Sequence, residues 1–158
     1  LQSELLMMMP EEIGDEPLAQ EKYLVKNAKK IAILAAGAAA QRFMTKLDQE
    51  QEVLVNIANI ANQLYAMESV VIRTEKAIAR DGVEKAAQKI LYTQIFCQEA
   101  FAIIEAEAKD TLLASVEGDA GRMTLSALRK LTRNNPYNLI PMKREAAAKL
   151  IEAEKYVV

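Results

Sequence analysis

The chain has 158 residues, 51% of them apolar and 27% charged, with a formal charge of −2, five glycines, four prolines, one cysteine and no histidine. That length suits one domain burying about two-thirds of the surface its unfolded form exposes. The composition excludes a low-complexity or disulfide-stapled protein, and the near-neutral charge excludes bulk attraction to nucleic acid. Alanine, leucine, glutamate, lysine and glutamine dominate and tryptophan is absent, so an all-α fold is expected.

In chain order, LLMMMP (residues 5–10) is an apolar run that must dock on something. Gly14-Asp15-Glu16-Pro17 then reads as a breaker and helix start, with Asp15 as cap and Pro17 in the first turn. A helix is predicted over 17–46. Within it, IAILAAGAAA (31–40) carries no polar side chain. Ten apolar residues fall short of the about 20 that cross a bilayer, and a lone Gly37 makes no phosphate loop. Small residues at 35, 38 and 39 therefore predict close helix packing, which must offset the cost of Gly37, up to about 1 kcal/mol. Asp48 and Gln51 have capping-box spacing, placing a second helix start near 49.

From Val53 the apolar or small positions fall at 53, 57, 60, 64, 67, 71, 74 and 78, four heptads of a bundle seam. Asp81-Gly82 ends that helix. A second seam runs through Val83, Ala86, Ile90, Gln94, Cys97, Phe101, Ile104, Ala108 and Thr111 to near Val116, and Glu117-Gly118-Asp119 closes it. A shorter helix is predicted over 120–133, broken by Asn134-Asn135-Pro136, and a last one from Pro141 to about 155. Long helices joined by such short links fold back on one another. The expected architecture is an antiparallel up-and-down bundle of three long helices plus shorter C-terminal ones, four-helix-bundle-like. It forms a single domain over 1–158, with 1–16 as lead-in and 17–158 as bundle. The start at Leu1, without methionine and inside an apolar run, suggests a piece of something longer.

Catalytic chemistry is hard to assemble from these residues. Triads and thiol nucleophiles need a base, almost always histidine, and zinc or carboxylate-bridged metal sites need Cys/His or Glu-x-x-His sets. Cys97 lies on an apolar seam, where a thiol behaves as a small hydrophobe. Glu105 and Glu107 point to different faces. Glu68 and Glu75, seven apart, read as a solvated stripe paired with Arg73, Lys76 and Arg80. Asn56, Asn59 and Asn62 read as a polar edge or interhelical hydrogen bonds. No catalytic, cofactor-binding or metal-binding residue is assigned. Charge is uneven, however. Residues 1–20 hold five acidic groups and no basic one, whereas 121–158 carry a local net of +5. Arg129, Lys130, Arg133, Lys143 and Arg144 form a basic patch suited to an acidic face of a neighbouring subunit or an anionic lipid surface. Nucleic acid is not expected, because only Tyr137 could offer a stacking platform near the patch. The single cysteine and the lack of a secretory signal point to the cytoplasm.

Residues 47–110, LDQEQEVLVNIANIANQLYAMESVVIRTEKAIARDG and the QKILYTQIFCQEAFAIIEAEAKD that follows, resemble the extra C-terminal helical domain of very-long-chain-type acyl-CoA dehydrogenases. Leu64-Tyr65-Ala66-Met67 with Ser69, and the helix bearing Cys97, Glu99 and Ala100, carry the likeness most distinctly. The tail LRKLTRNNPYNLIPMKREAAAKLIEAEKYVV resembles bacterial fatty-acid-oxidation members. The resemblance implies an FAD-dependent parent that oxidises acyl-CoA at its α and β carbons in β-oxidation, with the catalytic glutamate, FAD contacts and substrate pocket in a preceding core. None of those motifs matches a position here. This piece alone is then no enzyme, and its partners are the core of the same chain, further copies in a homo-oligomer, and a peripheral contact at the inner membrane face. The competing reading is a free-standing helical adaptor. A third, an acyl-chain cavity lined by Met67, Ile104 and Leu112, is disfavoured by the dense alanine packing.

Overall fold

The computed structural model describes residues 13–155. The expected docking of residues 5–10 lies outside them. Among the described residues five α-helices are formed, α1 (Ala19–Phe43), α2 (Gln51–Asp81), α3 (Val83–Ser115), α4 (Gly118–Leu131) and α5 (Leu139–Ala153), with a 3-10 helix, Met44–Gln49, between α1 and α2. Among the described residues there is no strand.

The heptad pattern explains the two longest helices. All eight predicted α2 seam positions are buried or half-buried, and so are those of α3 except Val83. Lys22 of α1 stands against Glu75 of α2, so the end of α2 and the first turn of α3 project past the start of α1. Val83, in that projecting turn, is 49% exposed. A single residue, Gly82, joins α2 to α3, with φ 84 and ψ 163, a region essentially confined to glycine. Its N–H closes α2 on the Ile78 carbonyl, and its own carbonyl accepts from Ala86 to open α3.

The core runs through all three long helices and α4. Leu24, Ile31 and Ala35 of α1 meet Ile60, Met67 and Val71 of α2, then Cys97, Phe101, Ile104 and Leu112 of α3. Ala127, Leu128 and Leu131 of α4 close one side. Helix α4 runs back along α1: Arg42 at the end of α1 pairs with Glu117 just before α4, and Asn27 donates to the carbonyl of Leu131 at its far end. Thus α4 is a half-length fourth helix. Helix α5 instead lies outside on α3, where Ala146 is its one buried residue among those described. Ala35, Ala38 and Ala39 are buried as the run IAILAAGAAA predicted.

Several local expectations need correction. Helix α1 begins at Ala19, and its cap is Leu18 in the left-handed region (φ 66) with no side-chain bond, so Asp15 does not cap it. Burial of Leu18, 2% exposed, contributes about 1.5–3 kcal/mol and offsets the roughly 1–2 kcal/mol of that backbone strain. The helix stops at Phe43 because Met44 takes φ 48. The capping box does not form: Gln51 Nε2 reaches the Asp48 carbonyl at 2.7 Å, and Glu50 precedes α2 without a side-chain cap. Gly37 is exposed, and a methyl group added there would meet nothing within 4 Å, so packing inside the bundle does not offset its cost. Helix α5 starts two residues before Pro141, because Asn138 Oδ1 accepts from the Ile140 N–H at 3.2 Å and so caps the free first turn.

Candidate interaction surface

The five basic residues predicted as a patch fall on three elements. Arg129 and Lys130 occupy the last turn of α4, Arg133 the connector, and Lys143 and Arg144 the start of α5. Lys143 is tied to Glu99 of α3 and Lys130 is half-buried, whereas Arg129, Arg133 and Arg144 are exposed. Lys143 is exposed as well, so the side chains turned outward are those three arginines and the ion-paired Lys143.

The glutamate stripe of α2 is engaged differently from the expectation. Glu75 pairs with Lys22 at 2.6 Å and Glu68 with Lys29 at 2.5 Å, both across to α1, while Arg80 pairs with its neighbour Asp81. Arg73 and Lys76 stand five and one residues from Glu68 and Glu75, spacings that do not face each other on a helix. Lysines seven apart on an antiparallel neighbour do. The asparagines behave as anticipated: Asn59 Nδ2 donates to Glu107 Oε1 at 3.1 Å, and Asn56, with its amide turned to suit its neighbours, donates to Glu107 Oε2 at 2.8 Å. Glu105 is exposed, so the two carboxylates do separate.

A buried polar cluster sits at the start of α1. Glu21 is 1% exposed, and Tyr137 Oη donates to its Oε1 at 2.9 Å. Gln94 also hydrogen-bonds the Tyr137 hydroxyl. Gln20 Nε2 donates to the Asn135 carbonyl at 2.7 Å. These bonds lash the connector between α4 and α5 to the first turn of α1. Burial raises the Glu21 carboxyl above the usual carboxylate range, against the opposing pull of its backbone and Tyr137 hydrogen bonds. Burial, then the Glu21 charge, pushes the Tyr137 phenol well above its ordinary value and the Cys97 thiol up to about 12. A thiol so held stays protonated and unreactive at neutral pH. The cluster is thus a structural clamp. One signal was legible: Glu21, Leu24, Ala28, Ile31, Ala35 and Ala38 step by three and four, so Glu21 stands at a core position.

Among the described residues no group of three or more His, Cys, Asp or Glu side chains could hold a metal ion, and no helix is long and apolar enough to cross a membrane. Met67, Ile104 and Leu112 are fully buried in the core cluster, so they line packing rather than a cavity. The groove between α1 and α2 is walled by Lys22, Lys26, Lys29, Glu68 and Glu75. A second, between α3 and α5, is lined by Glu84, Lys85, Lys149 and Glu152.

Comparison with known proteins decides the family. The profile of the acyl-CoA dehydrogenase C-terminal domain matches residues 27–130, more than half of the chain. The chain belongs to the acyl-CoA dehydrogenase C-terminal domain family. It is 65% identical over its whole length to a probable acyl-CoA dehydrogenase of Bacillus subtilis (strain 168), of which it covers 27%. A crystal structure of an acyl-CoA dehydrogenase complexed with FAD from Bacillus anthracis matches 99% of the chain at 62% identity and a TM-score of 0.95, and the match takes in 26% of that protein. The chain thus spans about a quarter of the length of these relatives. The family's C-terminal domain is, in this chain, a bundle of long helices tied to one another by bonds such as Asn59–Glu107 and Thr74–Thr93.

Proposed function

We propose that this chain is the non-catalytic helical domain of an FAD-dependent acyl-CoA dehydrogenase of fatty-acid β-oxidation, packing on the dehydrogenase core and serving subunit assembly. The observation that carries the reading is the match at 62% identity to about a quarter of an FAD-bound acyl-CoA dehydrogenase, by a bundle whose buried titratable groups are held in a structural clamp. The core of the described residues is filled by side chains, and lysines and glutamates rim both surface grooves, around Val25, Val71 and Ile72 in the one between α1 and α2. FAD, the catalytic base and the acyl-CoA pocket then belong to the rest of the parent enzyme.

Within this reading the exposed Arg129, Arg133 and Arg144 meet an acidic face of a neighbouring subunit in a cytoplasmic homo-oligomer. Surface charge of this kind steers and orients association more than it strengthens it. Arg129→Glu with Arg133→Glu should weaken the oligomer. Loss of binding to anionic liposomes with the oligomer intact would instead favour a peripheral membrane role.

Separate production of the chain and of the remaining dehydrogenase part tests the assignment. The chain alone should neither bind FAD nor reduce an electron-acceptor dye with acyl-CoA, and mixing should restore solubility or activity to the other part. Flavin binding or dye reduction by the chain alone would overturn it.

A further inference from the structure

The ion pairs between α1 and α2 set a register that extends beyond them. Lys22 faces Glu75 and Lys29 faces Glu68, so one more heptad along α1 and back along α2 brings Ala36 level with Ala61. At that level both helices lose their charge. Residues 31–41 of α1 and 53–67 of α2 contain no Asp, Glu, Lys or Arg, and the antiparallel pairing lays these two neutral runs side by side. Their outward positions, Ile33, Gly37 and Ala40 on α1 and Ala58, Ala61 and Tyr65 on α2, are all exposed, Ile33 to 60% and Tyr65 to 77%.

A helix face that meets only water is normally polar and charged. Helix α3 follows that rule: its exposed Ile103 is bracketed one turn before and after by Glu99 and Glu107, and its exposed Leu113 stands one turn after Lys109. The α1/α2 face breaks it over several turns of two adjacent helices. Gly37 adds an independent sign. Nothing in the bundle needs a glycine there, since an added methyl would meet no atom within 4 Å. A mid-helix glycine on an open face fits the close approach of another backbone.

We propose that this neutral α1/α2 face docks on an uncharged helical surface of the dehydrogenase part of the parent chain. The proposal rests on the accessory-domain reading above and adds which side of the bundle makes the contact. Relatives at 62–65% identity carry this bundle as about a quarter of a longer chain, so a tethered partner is at hand. Tethering gives an effective concentration in the millimolar range, enough for a face with two large side chains among small ones. An untethered second copy needs an interface of about 20–30 residues a side, more than this face offers.

The test is made in the full-length enzyme, with a photo-crosslinking amino acid replacing Tyr65, Ile103 or Ile151 in turn. Crosslinks from position 65, and not from 103 or 151, to peptides of the dehydrogenase part of the same chain are expected. Crosslinks to that part only from 103 or 151 would overturn the face and leave the accessory reading standing. Crosslinks from 65 only to a second copy, or only to residues 1–12, would overturn the face as well. No crosslink to the dehydrogenase part from any position would overturn both. Ala61→Glu, at an exposed site of the bundle, should speed proteolytic cleavage between the two parts by about tenfold or more in the full-length enzyme if docking excludes charge; an unchanged rate would count against the proposal.

Discussion

Tyr137 donates its hydroxyl to Glu21 Oε1 at 2.9 Å across 116 positions of sequence, clamping the connector before α5 onto the first turn of α1. Tyr137→Phe leaves a buried carboxylate oxygen short of a donor and should cost about 1–3 kcal/mol at neutral pH, read as a shift in the denaturant midpoint.

The same carboxyl predicts a pH signature. Glu21 has its pKa raised by burial above the ordinary 4.5, so the folded protein holds that proton more tightly than the unfolded chain does. The stability it contributes is full below pH 4.5 and declines as pH rises through the raised value. Glu21→Gln stays neutral throughout. Its stability relative to the parent protein should rise as pH climbs from 4.5 through the raised value, and then level off. A gap that narrows with rising pH would refute the buried-charge account.

Gly82 and Gly37 should respond oppositely to alanine. At Gly82 the φ of 84 and ψ of 163 leave a side chain strained, and Gly82→Ala should cost about 1–3 kcal/mol. At Gly37, in mid-helix with open space around it, Gly37→Ala should stabilise the 158-residue chain by up to about 1 kcal/mol. Thermal unfolding of both variants checks the pair.

The Lys22–Glu75 and Lys29–Glu68 pairs bridge α1 and α2, but every partner's side chain is more than 40% exposed. A double-mutant cycle on Lys22→Ala and Glu75→Ala should give a coupling of about 0.2–1 kcal/mol that shrinks as salt is added. They set register more than they hold the fold.

Helix α5 buries only Ala146 and rests on α3 where Gln88 and Tyr92 keep buried polar atoms without a hydrogen-bond partner. Its amides should exchange with deuterium about tenfold faster or more than those in the middle of α2 and α3, through local opening. Equal protection would show that α5 belongs to the cooperative core.

The sequence by itself determined the helical class, the two heptad seams and the break at Gly82, because each depends on residues a few positions apart on one helix. Periodic apolar spacing identifies a buried face before its partner is known. The same local logic located the basic residues of the tail. Only the tertiary structure decided which charges meet: Glu68 and Glu75 turn to lysines of α1, Glu107 to Asn56 and Asn59, and Glu21 to a tyrosine more than a hundred residues away. It also turned Gly37 outward and set two neutral runs side by side. Those outcomes follow from how the helices lie against one another, since side chains distant in sequence interact only once packing has fixed their distance, orientation and exposure to water.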